Sequence, residues 1–175
     1  MNTDSAQKQD KSPVGIPALW SHFRDATGDD YFHFWLALES SFIRNAVQGI
    51  LVMGTAGPDS YVPVASWPEG NSDLERLTEI CESSLEQRCG LLAQLPSPAD
   101  SSTDRLCYAV SYPILIDNIL HGVVALEIAV ESEDELTGSM EQLQWGVSWL
   151  ELLFRRRRTA EDAILLSGMK SSFDL

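Results

Sequence analysis

The sequence predicts an α+β fold in α/β/α layers: a central antiparallel sheet with the N- and C-terminal helices packed on one of its faces. Three observations carry this. The stretch Tyr108 to Ile128, YAVSYPILIDNILHGVVALEI, is two apolar runs rich in β-branched and aromatic residues, joined at Asp117-Asn118, a pair that tolerates a tight turn. After it, Leu136, Met140, Leu143, Val147, Leu150 and Phe154 recur at spacings of four and three, the seam of a long helix. Before it, YFHFWLALESSFIRN carries a second helical pattern, so helices bracket the strands.

Residues Met1 to Val14 have few apolar side chains and are expected to form a mobile leader, unable to offset their own ordering entropy. From Pro17, PALWSHFRDA reads as a short helix interrupted by Gly28. Asp29 and Asp30 suit the start of the next helix because they complement its dipole. That helix has two apolar stripes, Tyr31, Trp35, Leu38 and Phe42 on one side and Phe32, Leu36 and Ile43 on another. Val47 to Met53, the breaker cluster GTAGPDS and the run YVPVASWP predict a second hairpin, with Pro63 marking an edge strand or a bulge.

Ser72 and Glu75 have the spacing of a capping box, opening a helix through Leu74, Leu77, Ile80, Cys81 and Leu85 that Gly90 is expected to end. GLLAQLP predicts a short strand and SPADSSTDR an internal loop. Beyond the central hairpin, Ser132 and Glu135 form a second capping box before a helix from about Asp134 to Arg158. Arg155 to Arg158 is expected to close that helix by complementing its dipole, the alternative being a membrane or nucleotide contact. Residues 159–175 then read as a tail or connector, which leaves 15–158 as one domain.

Both terminal helices carry more apolar surface than one sheet face can cover. Trp145, Trp149 and Leu152 fall opposite the long helix's seam. The expectation is a shared surface of Trp35, Phe42, Trp145, Trp149 and Leu152 that pairs two copies in a homodimer. The alternative is that the helices bury these stripes against each other within one monomer.

Composition narrows the function classes. With 175 residues, 44% of them hydrophobic, the chain can bury one core. A formal charge of -14 disfavours nucleic acid and anionic membrane surfaces as partners. No apolar run approaches the roughly 20 residues of a membrane span, and the N-terminus lacks a signal-peptide core, so a soluble, cytoplasmic protein is expected. Cys81, Cys89 and Cys107 are odd in number, lack metal-ligand spacing and fit a reducing compartment. His22, His33 and His121 are scattered, GTAGPDS lacks the ending of a phosphate loop, and neither a metal site nor a catalytic set is expected. No cofactor is indicated.

The order helix, hairpin, helix, strand, hairpin, long helix over Asp30 to Arg158, with the strand pattern YPILIDNILHGVVALEI and the upstream QGILVMG, resembles a GAF domain, in a pattern shared with some PAS domains. The segments FWLALESSFIRNAVQGILVMG, ASWPEGNSDLERLTEICESSLEQR and QLQWGVSWLELLFRRR are further similar to the cytoplasmic GAF region before the membrane anchor of some bacterial membrane-fusion (periplasmic adaptor) proteins of secretion and efflux systems. The first resemblance implies a GAF/PAS-like sheet holding a small molecule on the face away from the terminal helices. By position the candidates for that site are Trp67, Cys81, Cys89, Cys107, Tyr112 and the loop around Asp104. The second implies regulation of export by a cytoplasmic signal.

Together they imply a non-enzymatic sensory and dimerisation module, with the long helix transmitting the signal to an attached secretion or efflux component. Two alternatives stand beside it. One is a structural dimerisation platform without a ligand. The other is a thiol enzyme similar to free-methionine sulfoxide reductases, GAF enzymes whose cysteine arrangement Cys89-Gly90 and Cys107 match in outline, although LCYAVSYPI lacks the acidic residue after the later cysteine. Cys107 is also not followed by the histidine usual in bilin-binding photoreceptor GAF domains.

Overall fold

Strands β4 (Leu106–Ile116) and β5 (Ile119–Val130) form the central hairpin. They close through a two-residue turn in which Asp117 and Asn118 both take left-handed φ, 50° and 64°. Two positive φ values mark a type I′ turn, whose twist matches that of paired strands and which Asp and Asn tolerate. The computed structural model describes residues 15–25, 30–54, 60–70, 74–96 and 105–173, the side chains of 25 and 157–173 excepted. The expected leader 1–14, the loop 97–104 with Asp104, and Ser72 lie outside the described residues.

The other elements are α1 (Ile16–Asp25), α2 (Asp30–Phe42), β1 (Ala46–Gly54), β2 (Tyr61–Trp67), α3 (Glu75–Gln87), β3 (Leu91–Leu95) and α4 (Glu133–Phe173). Five strands make one sheet in the order β2-β1-β5-β4-β3, with every neighbouring pair antiparallel. Pro63 lies on the edge strand β2, where the register with β1 slips by one residue, so its missing N–H interrupts no interior ladder.

Alternation along β5 assigns the two faces. Val124, Leu126, Ile128 and Val130 point to α2 and α4, joining Leu51, Val110 and Ile114 in the larger core. Val123 and Ala125 point to α3, joining Ile50, Val52, Ala109, Leu77, Ile80 and Cys81. The expected seam of α4 is the face that packs on the sheet: Leu136, Leu143, Val147 and Leu150 are buried, Met140 and Phe154 half-buried. Helix α1 lies on α2 through aromatic pairs, with ring centroids 4.9 Å apart for Phe23 and Tyr31 and 5.1 Å for His22 and Phe34.

Ser132 caps α4 as expected. Its hydroxyl accepts from the Glu135 N–H at 3.3 Å, while the Glu135 carboxylate accepts from the Glu131 N–H at 3.0 Å and the Asn45 side-chain amide at 3.2 Å. The first described residue before α3 is Leu74, its N-cap, without a side-chain hydrogen bond; the expected cap residue Ser72 lies outside the described residues. Gly90 does not end α3. The left-handed cap is Arg88, φ 54°, whose guanidinium donates to the Asn118 carbonyl across the sheet end.

The far end of α4 corrects the boundary placed at Arg158. The helix continues to Phe173 through a segment without proline, so the expected tail or connector is helical over 159–173. The four arginines are therefore interior, away from the helix end whose dipole they were expected to complement. Arg155 instead pairs with Asp117 of the hairpin turn at 3.6 Å. One turn earlier, Glu151 accepts from the Leu115 N–H at 2.9 Å, beside a register slip that takes this amide out of the ladder. No described helix is long and apolar enough to cross a membrane.

Two glycines test this packing in opposite directions. A Cβ at Gly122 would overlap the Val52 carbonyl oxygen, whereas one at Gly138 on α4 would meet nothing within 4 Å. Gly122→Ala is expected to destabilise by about 1–3 kcal/mol. Gly138→Ala is expected to stabilise by up to about 1 kcal/mol, both read by urea unfolding. Equal effects would contradict the register of β5 on β1.

Candidate functional site

On the α3 face, α3 and β3 enclose an open cleft of about 600 Å³ whose walls include Arg76, Glu79, Ser83, Gln87, Gln94 and Ala109. Buried beside Ala109 in the sheet is a polar group built by alternation on three strands: Gln48 of β1 donates to Glu127 of β5 at 2.7 Å, and Cys107 of β4 lies on the same face. The amide stabilises a carboxylate that would otherwise be costly to bury. Burial pushes the Cys107 thiol up, the negative charge of Glu127 adds to this, and Arg76 opposes it. Ser111 Oγ, also buried on this face, has no hydrogen-bond partner among the described residues.

The five residues expected in one pocket divide between the two faces. Cys81 and Cys107 are on the α3 face, and Cys89 is exposed just past the end of α3. Trp67 and Tyr112 pack with the α2 and α4 core on the opposite side. Tyr112 is five positions from Cys107, and an odd interval along a strand reverses the face, so the two cannot share one floor. Burial also raises the Tyr112 hydroxyl. The Cys81 thiol is pushed up to about 12, first by burial and then by Glu82. Two of the three thiols are thus held protonated, the reverse of what activates a thiolate nucleophile.

A second cleft, of about 510 Å³, opens on the outer side of the helices between α1, α2 and α4. Trp35, Leu38 and Glu39 form its floor and Trp20, Phe42, Trp145 and Trp149 its rim. Trp145 is 67% and Trp149 57% exposed, and Leu152 and Phe42 are exposed with them. Trp35 departs from the expected interface set: at 4% exposure it belongs to the core beneath α2 and offers almost no surface to a second copy.

Glu39 was not anticipated from the sequence. It is 7% exposed, and its polar contact is the Gln142 amide, which donates to Oε1 at 3.4 Å. Gly146 of α4 presses against it so closely that a Cβ there would fall on the carboxyl group. Burial pushes this carboxyl from its ordinary 4.5 up to about 7, the Gln142 hydrogen bond pulling the other way. The signal in the sequence was a lone acid inside an apolar stripe, one turn after Trp35 and one before Phe42.

No family model matches this sequence, and no curated protein matches it. Solved structures do. The GAF domain of A. aeolicus nlh2 in an inactive state is similar with a TM-score of 0.60 at 13% identity, over 81% of this chain and 94% of that one. Free methionine-R-sulfoxide reductase from Neisseria meningitidis, in complex with its substrate, is similar with a TM-score of 0.47 at 15% identity, over 83% and 89%. The first likeness shows that the chain has a GAF fold; it says nothing about activity.

The raised Glu39 carboxyl has a consequence for stability with a definite sign. The folded state keeps a proton that the unfolded chain releases, so stability falls as the pH rises from about 4.5 to about 7 and levels off above. Relative to wild type, Glu39→Gln is expected to gain up to about 3 kcal/mol between about pH 4.5 and pH 8 in urea unfolding. An unchanged difference between the two proteins across that range would contradict the burial of this acid.

Proposed function

We propose that this chain is a non-enzymatic, cytoplasmic regulatory module of GAF type that works as a homodimer. The observation that carries the reading is the outer face of α4, where Trp145, Trp149 and Leu152 stand exposed beside Phe42 of α2. An aromatic patch of this kind is what an interface core is made of, and a soluble monomer rarely leaves one uncovered. The same helix packs its other face on the sheet and runs 41 residues, about 60 Å, so it links sheet to interface to whatever follows.

In this reading a small molecule enters the cleft between α3 and β3, and its different affinity for two dimer arrangements supplies the switch. The likeness of three sequence segments to the cytoplasmic region of bacterial membrane-fusion proteins supports a secretion or efflux component as the receiver of that signal. The thiol-reductase alternative has the raised Cys107 thiol against it.

Sedimentation is expected to give a dimer at micromolar concentration. Leu152→Glu and Trp149→Glu, each placing a charge in that contact, are expected to weaken it by about a hundredfold or more. A wild-type monomer, or a dimer indifferent to both changes, would sink the proposal.

A further inference from the structure

We propose that the groove between α1, α2 and α4 binds a small organic cation, an ammonium group with apolar substituents, which takes Glu39 as its counter-ion and the surrounding indole rings as its walls. The inference goes beyond the regulatory reading; the groove's rim residues Phe42, Trp145 and Trp149 also belong to the proposed dimer contact, so a second copy and the cation compete for this face. Glu39 is the only ionisable side chain lining this groove among the described residues, and it lies on the floor, 7% exposed. Its polar contact is one long hydrogen bond from a neutral amide. An ionised carboxyl so placed opposes folding, and none of the described residues lining the groove supplies a positive charge to offset it. Arg24 lines the adjoining cleft with Trp20, Phe23 and Tyr31.

The rest of the groove suits a cation with an apolar body. Trp35 at the floor and Trp20, Trp145 and Trp149 at the rim offer aromatic rings, which attract ammonium groups most strongly when water is excluded. A volume of about 510 Å³ lies within the range of small-molecule sites. Gly146 spaces α4 around the carboxyl, since any side chain there would displace it. The formal charge of -14 favours cations near the surface and disfavours anions. A cation must compete with the proton that Glu39 holds at neutral pH, so its binding is expected to release a proton and to tighten as the pH rises through about 7.

The test is calorimetric titration of the whole chain with benzyltrimethylammonium, and with benzyl alcohol as a neutral control. The expected result is at least about tenfold preference for the cation, with a binding heat that depends on the buffer's ionisation heat near pH 7. Glu39→Gln should retain the fold and lose that preference. Titration of Leu152→Glu, a residue outside the groove, separates this from the dimer: binding to that variant alone would support the site and show that a second copy closes its mouth. Equal affinity for cation and alcohol, a preference that survives Glu39→Gln, or no binding up to about 10 mM in wild type and Leu152→Glu alike would overturn the proposal.

Discussion

Strand β5 is buried on both faces, and most of the architecture follows from that. From Gly122 to Ile128 every residue is buried, alternate side chains going to α3 or to the α2 and α4 pair. A strand of this kind in an antiparallel sheet needs a layer on each side, whereas most such sheets leave one face to water. Among the described residues the lower layer is a single helix, too narrow to cover five strands, and the cleft between α3 and β3 lies beside it. The upper layer takes two helices, and the groove lies where α1 joins them. Each cavity thus reflects how many helices cover a face.

The same constraint explains how the hairpin tip is held. The Asp117-Asn118 turn projects past the sheet and is reached from both layers, by Arg155 and Glu151 from α4 and by Arg88 from α3. Polar contacts at the turn thus join the α3 end and α4, in addition to the packed core. The exposed Arg155 pair contributes little stability by itself, which suits a contact that exchanges between arrangements. On the outer side, Gly146 lets α4 approach the Glu39 carboxyl of α2 closely.

Much of the fold was legible because it is written in local chemistry. Asp117-Asn118 between β-branched runs specified the hairpin, Pro63 the edge strand, Ser132 and Glu135 the start of α4, and the four-three repeat its buried face. What escaped depends on partners distant in sequence. Arg88 takes the left-handed cap in place of Gly90 because it also reaches Asn118, thirty residues on. The arginine run suggested a helix end because charge alone does not reveal that the helix continues. Which of Cys107 and Tyr112 faces α3 is a one-position register question that the sequence alone leaves open, and the pairing of β4 with β5 answers it. Trp35 sat in the right stripe but beneath the surface, and Glu39 became visible as a feature only once Gly146 of α4 was seen against it.

In the proposed homodimer the aromatic face of α2 and α4 is covered. Acrylamide quenching of tryptophan emission tests it most directly, because Trp145 and Trp149 are the most exposed indoles among the described residues. Quenching is expected to fall as the protein is concentrated from well below to well above micromolar, as a second copy shields these rings. Quenching that stays constant over the whole range would contradict it.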